Sequence, residues 1–457
     1  MIVMKFGGTS VQDAQAIDRA AAIVRQRLTE QPVVVVSALA KITDQLLAMA
    51  AAAGAGKREP ALELCRAARE RHYNTAVDLL GTHAFEQIAQ ELESDFNGLD
   101  ELLRGVVAVG ELTPRTTDTI AGFGERVSSK IAAAAFSQRG IEAAHVDSRR
   151  CILTDATFGK AVPHFEETDA RLAEIVKPLL DRRRVPVMGG FIASSVDGAA
   201  TTLGRGGSDF SAAIVGAGLN AERIEIWTDV DGMMTTDPGL CPTARRIKCI
   251  SFEEAAELAY FGAKVLHPAT LLPAIRKNIP VLILNSRNPQ CEGTRITASA
   301  PKSRNTFKAI AAKKRITVVD VVATRMLMAH GFLKSIFEVF AHHRCPVDMV
   351  STSEVSVSVT VDSNESIAAI AADLALLADV KYEGRKAIVC LVGENIRNTP
   401  GIAAKVFSAI GDVNIRMISQ GASEINISFV IDEADVPAVV ARLHEAFFSA
   451  VDPEVFA

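Results

Sequence analysis

The sequence predicts an α/β protein: a mainly parallel sheet covered by helices on both faces, a three-layer αβα sandwich, followed by two small ferredoxin-like βαββαβ units. Three observations predict it. The chain opens as strand, glycine turn, helix, strand, which is a βαβ unit. Strand-like and helical patterns then alternate as far as Leu284. Beyond a polar, basic stretch the chain repeats itself at an offset of 70 residues, Gly331 matching Gly401, Phe337 matching Phe407 and Ser353-Glu354 matching Ser423-Glu424.

The first strand runs from Met1 to Phe6 and is broken by Gly7-Gly8-Thr9-Ser10. A helix with Ile17, Ala20, Ala21 and Val24 on one face follows over Asp13 to Leu28, and Pro32 to Ser37 is apolar on both faces, as a central parallel strand is. Lys5 at the strand end and the N–H groups of Gly7 and Gly8 are suited to phosphate oxygens. A strand-end lysine is otherwise a solvated charge. Residues 40 to 140 read as helical, from Lys41-Ile42-Thr43-Asp44 through two long patterns over Ala61 to Leu80 and Phe85 to Val109. Pro114 breaks the next turn, and a helix opens near Glu125, an acid placed either to suit the helix dipole or to hold an ammonium. Strands return at Ala143–Asp147, Val185–Ala193, Arg223–Asp229 and Ile279–Leu284.

The stretch that organises the rest is Gly204-Arg205-Gly206-Gly207-Ser208-Asp209, leading into the apolar run Phe210 to Leu219. Its glycines permit close backbone approach and positive φ. A helix starting at about Ser208 points free N–H groups at an anion, and Arg205 adds a planar fork for a carboxylate or phosphate. Asp209 suits the orientation of cations. Thr228-Asp229 ends a strand, where an open α/β sheet forms its ligand crevice. His267, a lone histidine before a proline, reads as a packed residue and not as a base.

Composition narrows the function. With 457 residues the chain has room for two to four domains. A net charge of -5 argues against a nucleic-acid or anionic-membrane partner. Seven scattered cysteines without a CxxC pair imply reduced thiols, hence a cytoplasmic location, and no metal-ligand spacing is present. No basic n-region marks a signal peptide, and no apolar run is long enough to span a bilayer.

Lys5-Phe-Gly-Gly-Thr-Ser10 resembles the opening motif of aspartate kinases, and Thr201 to Asp209 resembles their substrate loop. Trp227-Thr-Asp-Val, Thr235-Thr-Asp-Pro238 and Phe261-Gly-Ala-Lys-Val-Leu-His-Pro268 also match, in family order, and the repeated unit is similar to the family's pair of ACT domains. Met326 to Leu333 and Ser351 to Ser356 most resemble the lysine-sensitive, monofunctional branch. The resemblance implies an amino-acid-kinase catalytic domain over 1–297, a linker over 298–314, an effector-binding ACT domain over 315–384 and an assembly or regulatory ACT domain over 385–457. It implies phosphorylation of L-aspartate by ATP, the opening step of lysine, threonine and methionine biosynthesis, with Mg²⁺ carried on the ATP phosphates.

The resemblance also assigns roles. Lys5 neutralises the transferring phosphoryl group, Gly7 and Gly8 donate N–H groups, and Asp209 holds Lys5 and Lys264 in place. Arg205 clamps the α-carboxylate, Glu125 takes the α-ammonium, and Thr43 and Ser208 position the β-carboxylate beside Gly206 and Gly207. Thr228, Asp229, Met234, Asp237 and Lys264 line the ATP site. Met326, Phe332, Leu333, Val347, Asp348, Thr352, Ser353, Glu354 and Val355 form the effector site, with L-lysine as the expected inhibitor; Ser353-Glu354 also reads as a plain surface hairpin. A homodimer or homotetramer through the ACT domains is implied. Two departures stand out: Met234 replaces a tyrosine common in the branch, and Ala329 replaces a serine of the effector segment. A carboxylate acceptor is already ionised at neutral pH, so no general base is needed. The competing readings are another carboxylate kinase of the same fold, such as an acetylglutamate kinase, and a non-catalytic amino-acid sensor built on the ACT pair.

Overall fold

A computed structural model of the chain describes residues 1–262, 268–323, 331–364 and 366–457. Lys264, His267, Met326 and Ala329 lie outside the described residues. The chain divides into two compact units. One holds Met1–Met233, Lys248–Phe252 and the described part of 265–300; the other holds Met234–Ile247, the described part of 253–264 and Pro301–Ala457.

The first unit is built on strands β1 (Ile2–Phe6), β2 (Pro32–Val36), β3 (Ala143–Val146), β4 (Leu153–Thr154), β5 (Val185–Gly189), β6 (Ile192–Ser195), β7 (Ala200–Thr202), β8 (Ile224–Thr228), β9 (Cys249–Ser251), β10 (Val281–Asn285) and β11 (Thr294–Thr297). Eight of them form one sheet in the order β3-β5-β2-β1-β8-β10-β11-β9, parallel except between β10 and β11. β1 and β2 are buried along their whole length, which is why they read as unbroken apolar runs. The chain leaves β1 toward β2 on one side and later places β8 on the other. Lys5 thus stands where the strand order reverses, the usual site of a ligand crevice in such sheets.

Helices α1 (Ala14–Arg25), α2 (Ile42–Gly54), α3 (Arg58–Val109), α4 (Pro114–Ala121), α5 (Phe123–Gln138), α6 (Phe165–Ile175), α7 (Lys177–Asp181) and α8 (Gly207–Gly218) belong to this unit. Asp13 caps α1 by accepting from the Ala16 N–H at 2.8 Å. Gly81, at φ 69° and ψ 168°, splits α3 at the boundary the two helical patterns imply. Pro114 does not merely break a turn: it is the first residue of α4, where a missing N–H costs nothing, and Thr113 caps the helix.

Val185–Ala193 is not one strand. β5 ends at Gly189, Phe191 takes φ 65°, and β6 leaves to join the small sheet β4-β6-β7. The break lies where a Cβ on Gly190 would stand 2.6 Å from the Ser208 Cβ, so the backbone passes directly over the start of α8.

The second unit contains α9 (Phe252–Tyr260) apart from its first residue, and the repeats; α10 (Leu272–Arg276) returns to the first unit. The repeats supply β12 (Ala309–Val322), α11 (Phe332–His342), β13 (Val347–Thr352), β14 (Ser356–Asp362), α12 (Ile367–Ala375), β15 (Asp379–Val392), α13 (Ile402–Ile410), β16 (Met417–Gln420), β17 (Asn426–Asp432) and α14 (Val436–Phe448). Their strands form one antiparallel sheet in the order β13-β14-β12-β15-β17-β16. The expected linker over 298–314 is therefore too long: residues 309–313 already pair with 388–392 of β15.

β12 and β15 are each shared. Residues 316–322 of β12 and 379–386 of β15 complete the first βαββαβ unit, while 386–392 of β15 and 309–313 of β12 complete the second. The last strand of the second repeat is thus borrowed from the start of the first. Arg315 and Arg385, 70 residues apart, both take positive φ, 59° and 56°. Gly331 and Gly401, also 70 apart, cap α11 and α13 from the left-handed region.

Candidate active site

The C-terminal ends of β1, β2 and β5 open on a cleft of about 630 Å³. It is lined by Lys5 and Gly8, by Ser37 to Lys41, by Thr43 from the first turn of α2, by Asp118 and Glu125, by Gly159 and Phe191, and by Thr202 and Gly204 to Asp209. The substrate and phosphoryl-contact residues expected from sequence are brought together here, with one exception. The Gly7 N–H already donates to the Trp227 carbonyl at 2.9 Å, and Gly7 is not among the lining residues. The register of β1 against β8 carries one residue past the strand end and consumes that donor, which leaves Gly8 as the glycine of the pair that lines the cleft.

Three placements define the cleft's electrostatics. Lys5, nine-tenths buried, is ion-paired with Asp209, its Nζ 2.6 Å from Oδ1, so the ammonium is held at one point of the cleft. Asp209 comes from the first turn of α8, whose N-cap Gly206 takes φ 71°, a left-handed geometry suited to glycine. Arg205, just before that cap, is exposed, and no ion pair joins it to a described residue.

Glu125, in the first turn of α5, is 3% exposed. Burial pushes its carboxyl up to about 8, against the opposing pull of the Ala38 N–H and the Lys5 charge. Its Oε2 has no hydrogen-bond partner. A buried acid with an unsatisfied oxygen facing a cleft is incomplete without a cationic or donor ligand. Of the two sequence readings, placement for the helix dipole alone does not account for it.

Three lining residues carried no sequence signal. Phe191 holds a left-handed φ and donates its N–H to Ser211 Oγ at 2.9 Å. Ser37 extends β2 and its carbonyl accepts from Ser128 Oγ at 2.8 Å. Asp118 is buried and hydrogen-bonded across the cleft wall.

The other expected site residues fall in both units. Thr228 and Asp229 end β8, with Thr228 Oγ1 donating to Asp229 Oδ1 at 3.3 Å. Met234 and Asp237 are in the second unit, where the Asp237 side chain accepts from the Gly239 N–H at 2.8 Å in its own turn. Of the effector residues, Phe332 and Leu333 start α11, Val347, Asp348 and Thr352 are on β13, and exposed Ser353 and Glu354 with half-buried Val355 form the turn to β14. Asp348 is already engaged: Lys313 Nζ donates to both its oxygens at 2.9 and 2.8 Å, and Tyr260 Oη donates to Oδ1 at 2.8 Å. Burial and the Asp348 charge both push the Tyr260 hydroxyl well above its usual range. Among the described residues no cluster of three or more His, Cys, Asp or Glu is arranged to hold a metal, and no helix is long and apolar enough to cross a membrane.

Residues 1–285 match the amino acid kinase family, and residues 319–372 and 389–447 match an ACT domain. The fold and cleft are those of an amino acid kinase that carries ACT domains. Lysine-sensitive aspartokinase 3 of Escherichia coli K12 is 36% identical over 98% of this chain and 99% of its own length. Aspartokinase 3, chloroplastic, of Arabidopsis thaliana is 37% identical over 98% of this chain and 81% of its own length. The crystal structure of E. coli aspartokinase III with aspartate and ADP superposes with a TM-score of 0.87 at 35% identity, covering 98% of this chain and 100% of that one. The same enzyme with lysine and aspartate gives 0.84 at 36% identity, covering 98% and 99%. The chain belongs to the aspartokinase family.

Proposed function

We propose that this chain transfers the γ-phosphoryl group of ATP to the β-carboxylate of L-aspartate, giving ADP and 4-phospho-L-aspartate, and that L-lysine inhibits it. The observation that carries the reading is the buried Glu125 carboxyl, its Oε2 without a hydrogen-bond partner, in the same cleft as Arg205 and Lys5. A free amino acid presents an ammonium and an α-carboxylate together, and Glu125 and Arg205 answer both. An N-acylated substrate has no ammonium to offer Glu125, which favours aspartate over an acetylglutamate-type acceptor.

Mg²⁺ enters with ATP as part of the substrate, since an ion that prefers to keep its waters needs few protein ligands beyond the phosphates. The chain's own residues then position and neutralise. Lys5, fixed by Asp209, meets the charge that develops on the transferring group; Gly8 and the start of α8 offer N–H groups; Ser208 and Thr43 hold the acceptor carboxylate; Thr228 and Asp229 belong to the nucleotide side. Seven free cysteines suit a reducing cytoplasm. An effector ammonium reaching Asp348 must displace Lys313, which holds both of its oxygens; the reading of a lysine site in the first ACT unit rests on the likeness to lysine-sensitive aspartokinase 3. Purified protein with ATP, Mg²⁺ and L-aspartate is expected to release ADP only when aspartate is present, and L-lysine is expected to suppress that release. Aspartate-independent ADP release, or none, would reject the reading.

Glu125 adds a pH signature. Its free-enzyme pKa is raised to about 8, so at pH 7 the protonated form predominates. An ammonium ligand requires the ionised form, so binding drives a proton off. The expected result is kcat/KM for aspartate rising with pH between about 6 and 8 and levelling above, with net proton release in calorimetry across buffers of different ionisation heat. Folding runs the opposite way: the raised pKa means that the native state binds more protons than the unfolded state between 4.5 and about 8, so this group's contribution to stability declines with pH over that window. Equal aspartate affinity at pH 6 and 8 would remove Glu125 from the ammonium role.

A further inference from the structure

We propose that Asp118 is the positioning residue that sets the Arg205 loop for the amino-acid substrate. This rests on the reading of the cleft given above, although one of its tests does not. Asp118 lies on α4 and is 3% exposed. Its Oδ2 accepts from the Gly159 N–H at 2.9 Å and from the Thr202 N–H at 2.8 Å, and its Oδ1 accepts from Thr202 Oγ1 at 3.0 Å. One carboxylate therefore ties together three segments distant in sequence, and all three line the cleft.

The tie reaches Arg205 through a short, well-connected path. Thr202 ends β7, and its carbonyl accepts from the Ala161 N–H at 2.9 Å, so the 155–161 loop is bound to β7 both through Asp118 and directly. Leu203 donates to the Phe191 carbonyl at 2.9 Å, and Gly207 donates to the Gly204 carbonyl at 2.9 Å. Gly204 turns at φ 75°, and a Cβ there would meet the Gly159 carbonyl oxygen at 3.1 Å. Arg205 thus emerges from a turn seated directly on the segment that Asp118 holds. The arginine itself has no ion pair with a described residue to fix it, so the backbone beneath it supplies its aim.

The carboxylate is a costly choice for a purely structural tie. No ion pair joins Asp118 to a described residue, and burial pushes its carboxyl above the usual range despite the three donors. Its advantage is acceptor capacity: a carboxylate can serve several converging donors at once, and charged acceptors make the stronger hydrogen bonds. Removing it leaves the Gly159 and Thr202 N–H groups without their partner beside the cleft.

The test compares Asp118→Ala, Asp118→Asn and wild type. Asparagine can accept both N–H groups on its remaining oxygen and donate to Thr202 Oγ1, so it preserves the tie without the charge. For Asp118→Ala the KM for aspartate is expected to rise at least tenfold, with KM for ATP within twofold and kcat within threefold; Asp118→Asn is expected to stay within threefold of wild type in all three. Amide hydrogen exchange supplies a readout independent of turnover: residues 155–162 and 199–206 are expected to exchange at least tenfold faster in Asp118→Ala, with the β1 and β2 amides unchanged. If the alanine variant does not fold, Asp118→Ser, with one short acceptor, takes its place with the same expectations. Unchanged exchange in both segments, a KM for aspartate within twofold of wild type, or an asparagine variant as impaired as alanine would each overturn the proposal. Faster exchange in those segments without any aspartate-dependent turnover in wild type would uphold the tie while rejecting the kinase reading.

Discussion

Lys5→Ala is expected to lower kcat by about a hundred- to a thousandfold, the usual cost of deleting one preorganised group at a developing charge, while KM for aspartate changes little. On the proposed reading phosphoryl transfer to an ionised acceptor asks for no proton abstraction, so catalysis rests on positioning and charge neutralisation. Lys5 is nine-tenths buried and anchored to Asp209 at 2.6 Å, so its ammonium is in place before substrate arrives and pays no reorganisation during transfer. The same variant strands the Asp209 carboxylate, and removing one partner of a poorly solvated pair is destabilising. A thermal melt must therefore accompany single-turnover kinetics at a temperature where both proteins are folded. A kcat within threefold of wild type would take Lys5 out of the chemical step.

Arg205→Ala is expected to act on binding instead. Losing a charge-assisted contact to the α-carboxylate costs about 2–3 kcal/mol, equivalent to roughly a 30- to 160-fold rise in KM for aspartate. Stability should hardly change, because Arg205 is exposed and surface substitutions away from packed features stay within about 0.5 kcal/mol. Arg205→Lys should recover only part of the affinity, since an ammonium lacks the planar fork. Steady-state kinetics at varied aspartate with saturating ATP separates the two variants: one loses turnover and the other loses affinity. An Arg205→Ala enzyme with unchanged KM would show that the carboxylate is held elsewhere.

Much of this architecture was legible in the sequence because it follows from local rules. Buried apolar runs marked β1 and β2, and the glycines before Ser208 marked a helix start, which the structure places at Gly207 with Gly206 as its left-handed cap. The 70-residue offset marked both repeats, while the sharing of β12 and β15 between them follows only from the strand pairing. What escaped depends on long-range placement. Gly7 looked like a free donor until the register of β1 on β8 paired it with the Trp227 carbonyl. Asp118 contacts Thr202 across 84 residues, and no spacing rule announces such a tie. The split of Val185–Ala193 follows from the approach of Gly190 to α8, a tertiary contact that overrides a plausible apolar strand. Asp348 was expected to be open to an effector, and only the fold reveals that Lys313 and Tyr260 already hold it.

The exchange of strand halves between the repeats makes the C-terminal region indivisible. A fragment starting at 385 would carry the second repeat's helices yet lack the neighbour that 309–313 supplies to β15, leaving a raw edge open to self-association. Trimming the chain at 378 would equally deprive the first repeat of residues 379–386 beside β12. Neither half can be excised, swapped or inherited alone without tearing the sheet, so a regulatory segment of this kind is a single mechanical part, however clearly its sequence is written twice.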